Sequence, residues 1–113
     1  LPHGVVAYLD RAGQGGRLLV PPGMGGYFEW RLYPKYRIYA DLQLLMFTDR
    51  DIFYVDNAYA RQAVLDRFLE QYRPEYVVVA LKDEDFGKDL RSRGYRTVFF
   101  DDVAVCFARR GLP

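Results

Sequence analysis

The segment Pro22-Gly23-Met24-Gly25-Gly26-Tyr27 is the first in the chain whose residue types and spacing can do chemistry. It follows a short apolar run and precedes a helical pattern. At that place α/β folds cradle phosphates, because exposed backbone N–H groups and a helix N-terminus attract anions. The spacing is not G-x-G-x-x-G, and no Lys-Ser/Thr pair follows it. A sharp strand-to-helix turn, where only glycine tolerates the backbone angles, accounts for the same residues.

Acidic residues form the next candidates. Asp41 ends an apolar run, and ligands of open α/β sheets gather at the carboxyl ends of strands; an Asp there equally caps the segment that follows. Asp101-Asp102 is a carboxylate pair of the kind used for acid/base work or Mg²⁺, but the sequence supplies no third acid, His or Lys to converge on it. Two acids between two strands also read as turn-formers. Asp49, Asp51 and Asp56 resemble a sparse cation loop without the glycine and terminal Glu of an EF-hand. His3 has no Ser or Cys nucleophile tied to it. Cys106 lies within Val103-Ala104-Val105-Cys106-Phe107 and reads as an inert core thiol. The aromatics Tyr27, Phe28, Trp30, Tyr33, Tyr36 and Tyr39 suit stacking on a sugar or aromatic ligand, and equally a core or interface.

The elements that must position these residues follow from periodicity. Val5, Val6 and Leu9 predict a short helix over 3–12, ended by Gly13-Gln14-Gly15-Gly16. Residues 17–20 predict a buried strand stopped by Pro21-Pro22. A helix over 27–33 closes before Pro34, and a strand over 37–40 leads to Asp41. Residues 42–56 are too apolar for a solvated loop and predict a packed connection with a helical turn. Asn57 caps the longest helix, 58–72, whose apolar face is Ala60, Val64, Leu65, Phe68 and Tyr72 and whose end is set by Pro74. Tyr76-Val77-Val78-Val79-Ala80-Leu81 has no polar alternation, so both its faces must be covered. Asp83 caps a short helix carrying Phe86 and Leu90, which Gly94 terminates. Strands over 95–100 and 103–109 flank Asp101-Asp102 as a hairpin. The order α-β-α-β-α-β-α-β-β predicts an α/β fold: a small doubly wound, mostly parallel sheet of about five strands, with strand order 2-1-3 followed by a C-terminal antiparallel hairpin, and helices on both faces.

Composition narrows the function classes. At 113 residues the chain has the size of one domain, and half its residues are hydrophobic, so it is not a disordered tail. Sixteen Lys and Arg against fifteen Asp and Glu, interspersed, give no footprint for nucleic acid. One His and one Cys leave no zinc constellation and no internal disulfide. No cofactor is expected. There is no apolar stretch long enough to span a membrane and no signal segment. The chain opens on Leu1 and reads as a domain excised from a longer protein.

Three segments carry a resemblance. Gly25-Gly26-Tyr27-Phe28-Glu29-Trp30-Arg31-Leu32-Tyr33-Pro34, followed by a strand ending in Asp41, is similar to a "GGY-L-x-W-x-L-Y-P … V-F-x-D" signature. Tyr76-Val77-Val78-Val79 and the stretch from Gly94 to Val105 match a "Y-V-hydrophobic" strand and a "G-W/Y-x-x-V-Y-x-D-x-A-V" hairpin. Together they resemble the soluble C-terminal domains of multi-spanning membrane proteins related to the dolichyl-phosphate-mannose and other polyprenyl-phosphate-sugar glycosyltransferases. Relatives often have Asp-Gly-Arg where this chain has Asp41-Leu42-Gln43. The resemblance implies a non-catalytic accessory domain on the extracytoplasmic side, membrane-anchored through the rest of the protein, whose acting acid lies outside this region. Its expected partners are the membrane-embedded part of the same polypeptide and a sugar or polyprenyl-linked ligand, met by Gly25, Gly26, Tyr27, Trp30, Arg31 and Asp41. The alternative is a free-standing module binding a nucleotide or sugar phosphate at the Gly23–Tyr27 turn. A metal-dependent hydrolase using Asp41, Asp101 and Asp102 would need those carboxylates to converge.

Overall fold

The computed structural model describes residues 1–21, 23–40, 58–83 and 86–113. The elements, in chain order, are α1 (His3–Arg11), β1 (Gly16–Leu19), α2 (Gly25–Leu32), β2 (Tyr36–Tyr39), α3 (Ala58–Tyr72), β3 (Tyr76–Ala80), a 3₁₀ turn (Leu81–Asp83), α4 (Phe86–Ser92), β4 (Tyr95–Phe100) and β5 (Ala104–Arg109). They belong to two compact units, Leu1–Ala40 with Pro74–Pro113, and Asp41–Arg73. The expected connection over 42–56 and the Asn57 cap lie outside the described residues.

The first unit is built on a five-stranded sheet of order β2-β1-β3-β5-β4. β1 pairs in parallel with both β2 and β3, as the αβ alternation predicts. The expectation of a mostly parallel sheet needs correcting: β5 pairs antiparallel with both β3 and β4, so the sheet is mixed. The hairpin closed by the short link Asp101–Val103 is as expected, and the difference lies in which of its strands meets β3. A connection that brief can only join antiparallel neighbours, and it is the second hairpin strand, β5, that docks on β3. Burial explains that choice. In β5 Ala104, Cys106, Phe107 and Ala108 are buried, whereas β4 leaves Arg96, Thr97, Phe99 and Phe100 exposed and so takes the edge.

All five residues of β3 are buried, as its unbroken apolar run requires. Tyr76 and Val78 face a core with Val5, Val6 and Leu9 of α1 and Phe28 and Leu32 of α2. Phe107, next to Cys106 of that core, points to the other face by strand alternation, where Gly87 of α4 lies against it: a Cβ on Gly87 would come within 3.4 Å of the Phe107 ring.

α1 owes its ends to distant residues. Its C-terminal carbonyls are met by Lys35 Nζ, which donates to Leu9 O and Asp10 O at 3.3 and 2.8 Å, and by the Tyr36 hydroxyl, 2.9 Å from Leu9 O. A cation at a helix C-terminus also opposes the negative end of the helix dipole. In the second unit, α3 buries Leu65, Phe68 and Leu69, and the Phe68 and Tyr72 rings pack at 4.7 Å. The helix closes at Arg73, whose φ of 45° takes the chain out of the helix just before Pro74.

Candidate functional site

α2 begins two residues earlier than its apolar spacing suggests, at Gly25, and the two adjacent glycines do different things. A Cβ on Gly25 would lie 2.4 Å from the Ala40 Cβ, so glycine lets the first turn of α2 settle over the carboxyl end of β2. A Cβ on Gly26 would have no atom within 4 Å. Gly23, with φ of 92°, makes the left-handed turn that feeds the helix. The glycine run is therefore accounted for at Gly23 and Gly25 by backbone angle and close packing, and Gly26 leaves a bare patch of helix surface.

One turn further, α2 carries a linked cluster. The Arg31 guanidinium donates to the Tyr27 hydroxyl at 2.9 Å, and that hydroxyl lies 2.6 Å from His3 Nδ1. The Tyr27 hydroxyl thus bridges the Arg31 guanidinium and the His3 ring. The His3 and Tyr27 rings meet edge to face at 5.4 Å and 89°. The same guanidinium carbon sits 5.7 Å from the centre of the Tyr27 ring and 5.9 Å from that of Trp30. These are cation–π distances, favourable by about 0.5–1 kcal/mol at exposed sites. Phe28 and Leu32 anchor the opposite side of the helix in the core. Trp30 is 77% exposed and Tyr33 is 74% exposed. Large aromatic surface held in place yet left in water can stack on a flat ligand or enter an interface, with Arg31 beside it to meet an anion.

Of the six residues singled out from the sequence, Gly25, Gly26, Tyr27, Trp30 and Arg31 thus share one helix, and Tyr27, Trp30 and Arg31 touch. Asp41 lies outside the described residues, as do Asp49, Asp51 and Asp56. His3 is the member that sequence reasoning missed. It stands 24 positions from Tyr27 in the chain, and no local signal joins the two.

Asp101 has a structural occupation. Its Oδ1 accepts the N–H groups of Val103 and Ala104 at 2.7 and 2.8 Å, and its Oδ2 accepts that of Val5 at 3.0 Å. Burial pushes this carboxyl up, but the three backbone donors outweigh it and hold the group below the usual carboxylate range. Asp102 is exposed beside it. Among the described residues no group of three or more His, Cys, Asp or Glu side chains is placed to hold a metal ion. Cys106 is buried, and burial pushes its thiol up to about 12, which keeps it protonated and unreactive. Among the described residues no helix is long and apolar enough to cross a membrane.

Comparison of the chain with known protein families, with curated proteins and with solved structures finds no match.

Proposed function

We propose that the chain is a non-catalytic accessory domain of a membrane glycosyltransferase-like protein, on the extracytoplasmic side, acting as a binding surface. Its partners in this reading are the membrane-embedded part of the same polypeptide and a sugar or polyprenyl-linked ligand. The observation that supports it is the α2 cluster: an exposed indole beside a guanidinium that is oriented by Tyr27, itself held by His3. An aromatic face with an adjacent fixed cation is suited to a sugar ring bearing a phosphate. The same reading takes the sheet as doubly wound. Its parallel part, β2-β1-β3, presents the start of α2 at the strands' carboxyl ends, where such folds bind ligands. The carboxylate considered for acid/base work, Asp101, is engaged by three backbone donors, which suits a binding role better than proton transfer.

The test is the complete coding sequence that contains residues 1–113. Several apolar spans of about 20 residues on the same polypeptide are the expected result. A complete open reading frame without such spans discards the reading.

A further inference from the structure

We infer that the exposed face of α2 seats on the headgroup region of an anionic lipid bilayer, with Trp30 and Tyr33 as interfacial anchors and Arg31 as a phosphate contact. The inference goes beyond the accessory-domain reading and rests on it for the presence of a membrane alongside.

Trp30 lies in the last turn of α2, and Tyr33 is the extended residue that ends the helix three positions on. Both are about three-quarters exposed, whereas Phe28 and Leu32 are buried. Gly26 lies one turn before Trp30, and the open space over it lets a flat surface approach the backbone beside the Trp30 ring. Trp and Tyr are the residues that partition to the boundary between headgroups and acyl chains, because each joins a large apolar ring to a polar tip.

Charge selects the kind of bilayer. Between Gly23 and Ala40 the cations are Arg31, Lys35 and Arg37 and the one acid is Glu29, a balance of three minus one, or +2, in a chain whose total is only +1. All four are exposed. Arg31 is held next to Trp30 by its bond to Tyr27, so the cation and the anchor arrive together. Aromatic anchors with the Arg31 guanidinium beside them match anionic headgroups in both polarity and sign.

Trp30 is the sole tryptophan, so its emission reports on this face directly. The experiment mixes the 113-residue protein with vesicles of phosphatidylcholine alone, with vesicles that also contain phosphatidylglycerol, and with inorganic phosphate. The expected result is a blue shift of Trp30 emission and co-sedimentation with the anionic vesicles only, both weakened by added salt. Arg31→Gln should bind about fivefold more weakly. The Trp30→Ser/Tyr33→Ser double variant, followed by sedimentation, should lose roughly tenfold or more. Unchanged thermal unfolding of both variants shows that the loss is in binding. The inference is overturned if the wild-type protein stays in the supernatant, if it binds zwitterionic vesicles equally well, or if inorganic phosphate alone reproduces the spectral change. It is overturned too if the double variant sediments like wild type. The reading of the preceding subsection fails on a different result, a coding sequence without membrane spans, so the two failures are distinguishable.

Discussion

The carboxylate of Asp101 accepts the backbone N–H of Val5, 96 positions away in sequence, while its other oxygen closes the turn it sits in. One side chain thus satisfies an orphan donor in the first turn of α1 and two donors of the β4–β5 link. It fixes the first helix of the domain to its last hairpin. The contact is close enough that a Cβ on Gly4 would lie 3.1 Å from the Asp101 Cβ.

Asp101→Ala should therefore destabilise the fold by about 2–4 kcal/mol, because three backbone donors lose a charged acceptor at once. Asp102→Ala, next to it but exposed, should stay within about 0.5 kcal/mol. The pH dependence has a definite sign. The folded carboxyl ionises below its unfolded value of about 3.9, so its contribution is fully present above that pH and fades as pH falls through the folded value. Urea denaturation of wild type and Asp101→Asn between pH 7 and pH 2 checks this. The stability gap between them should be widest at neutral pH and close in acid.

The two glycines that open α2 make a paired prediction. Gly25→Ala puts a methyl 2.4 Å from the Ala40 Cβ and should destabilise by about 1–3 kcal/mol through overpacking. Gly26→Ala meets no neighbour and sits in a helix, so it should be neutral or stabilising by up to about 1 kcal/mol. Chemical denaturation measures both. The alternative function, nucleotide or sugar-phosphate binding at this turn, predicts something else: a rise in melting temperature of the wild-type protein with excess ligand.

Much of the first unit is legible in the sequence, and what is not has a common cause. Val5, Val6 and Leu9 mark α1, the run from Tyr76 to Ala80 marks the central strand, and the strand order 2-1-3 with a terminal hairpin is the one observed. These features are local, or follow from the order of local features. The mixed character of the sheet depends on which hairpin strand meets β3, and a turn alone does not decide that. The apolar run Ala104 to Ala108 against Arg96 and Thr97 in β4 is the signal that could have. In the site, α2 places Tyr27, Trp30 and Arg31 together by helical spacing. His3 joins them only because α1 and α2 pack side by side. Asp101 was legible as a turn-former; its bond to Val5 was not, because the two residues lie at opposite ends of the chain.

Cys106 gives a prediction about dynamics. Its thiol is wholly buried in the sheet and held protonated by that burial. A thiol reagent such as DTNB should label it at neutral pH only as fast as the protein opens, and immediately in denaturant. Fast labelling of the native protein would mean that β5 opens readily, contrary to its place between β3 and β4.

Two buried tyrosines should respond differently to loss of a hydroxyl. The Tyr36 hydroxyl donates to Leu9 O, but that carbonyl also accepts Lys35 Nζ at 3.3 Å. The Gly15 N–H also donates to the phenol oxygen, so Tyr36→Phe leaves the Leu9 carbonyl with a partner but strands one backbone donor, and should cost about 1–2 kcal/mol. The Tyr76 hydroxyl both accepts the N–H of Gln14 at 3.0 Å and donates to Pro113 O at 3.1 Å. Tyr76→Phe strands a backbone donor and a backbone acceptor together, and should cost more, about 1–3 kcal/mol. The rings themselves remain, with their edge-to-face packing at 5.8 Å, so the difference between the variants isolates the hydroxyls. Urea midpoints of the two variants, compared at equal slope, give the order directly. A Tyr36→Phe variant less stable than Tyr76→Phe would mean that Lys35 does not hold the end of α1 once the phenol is gone.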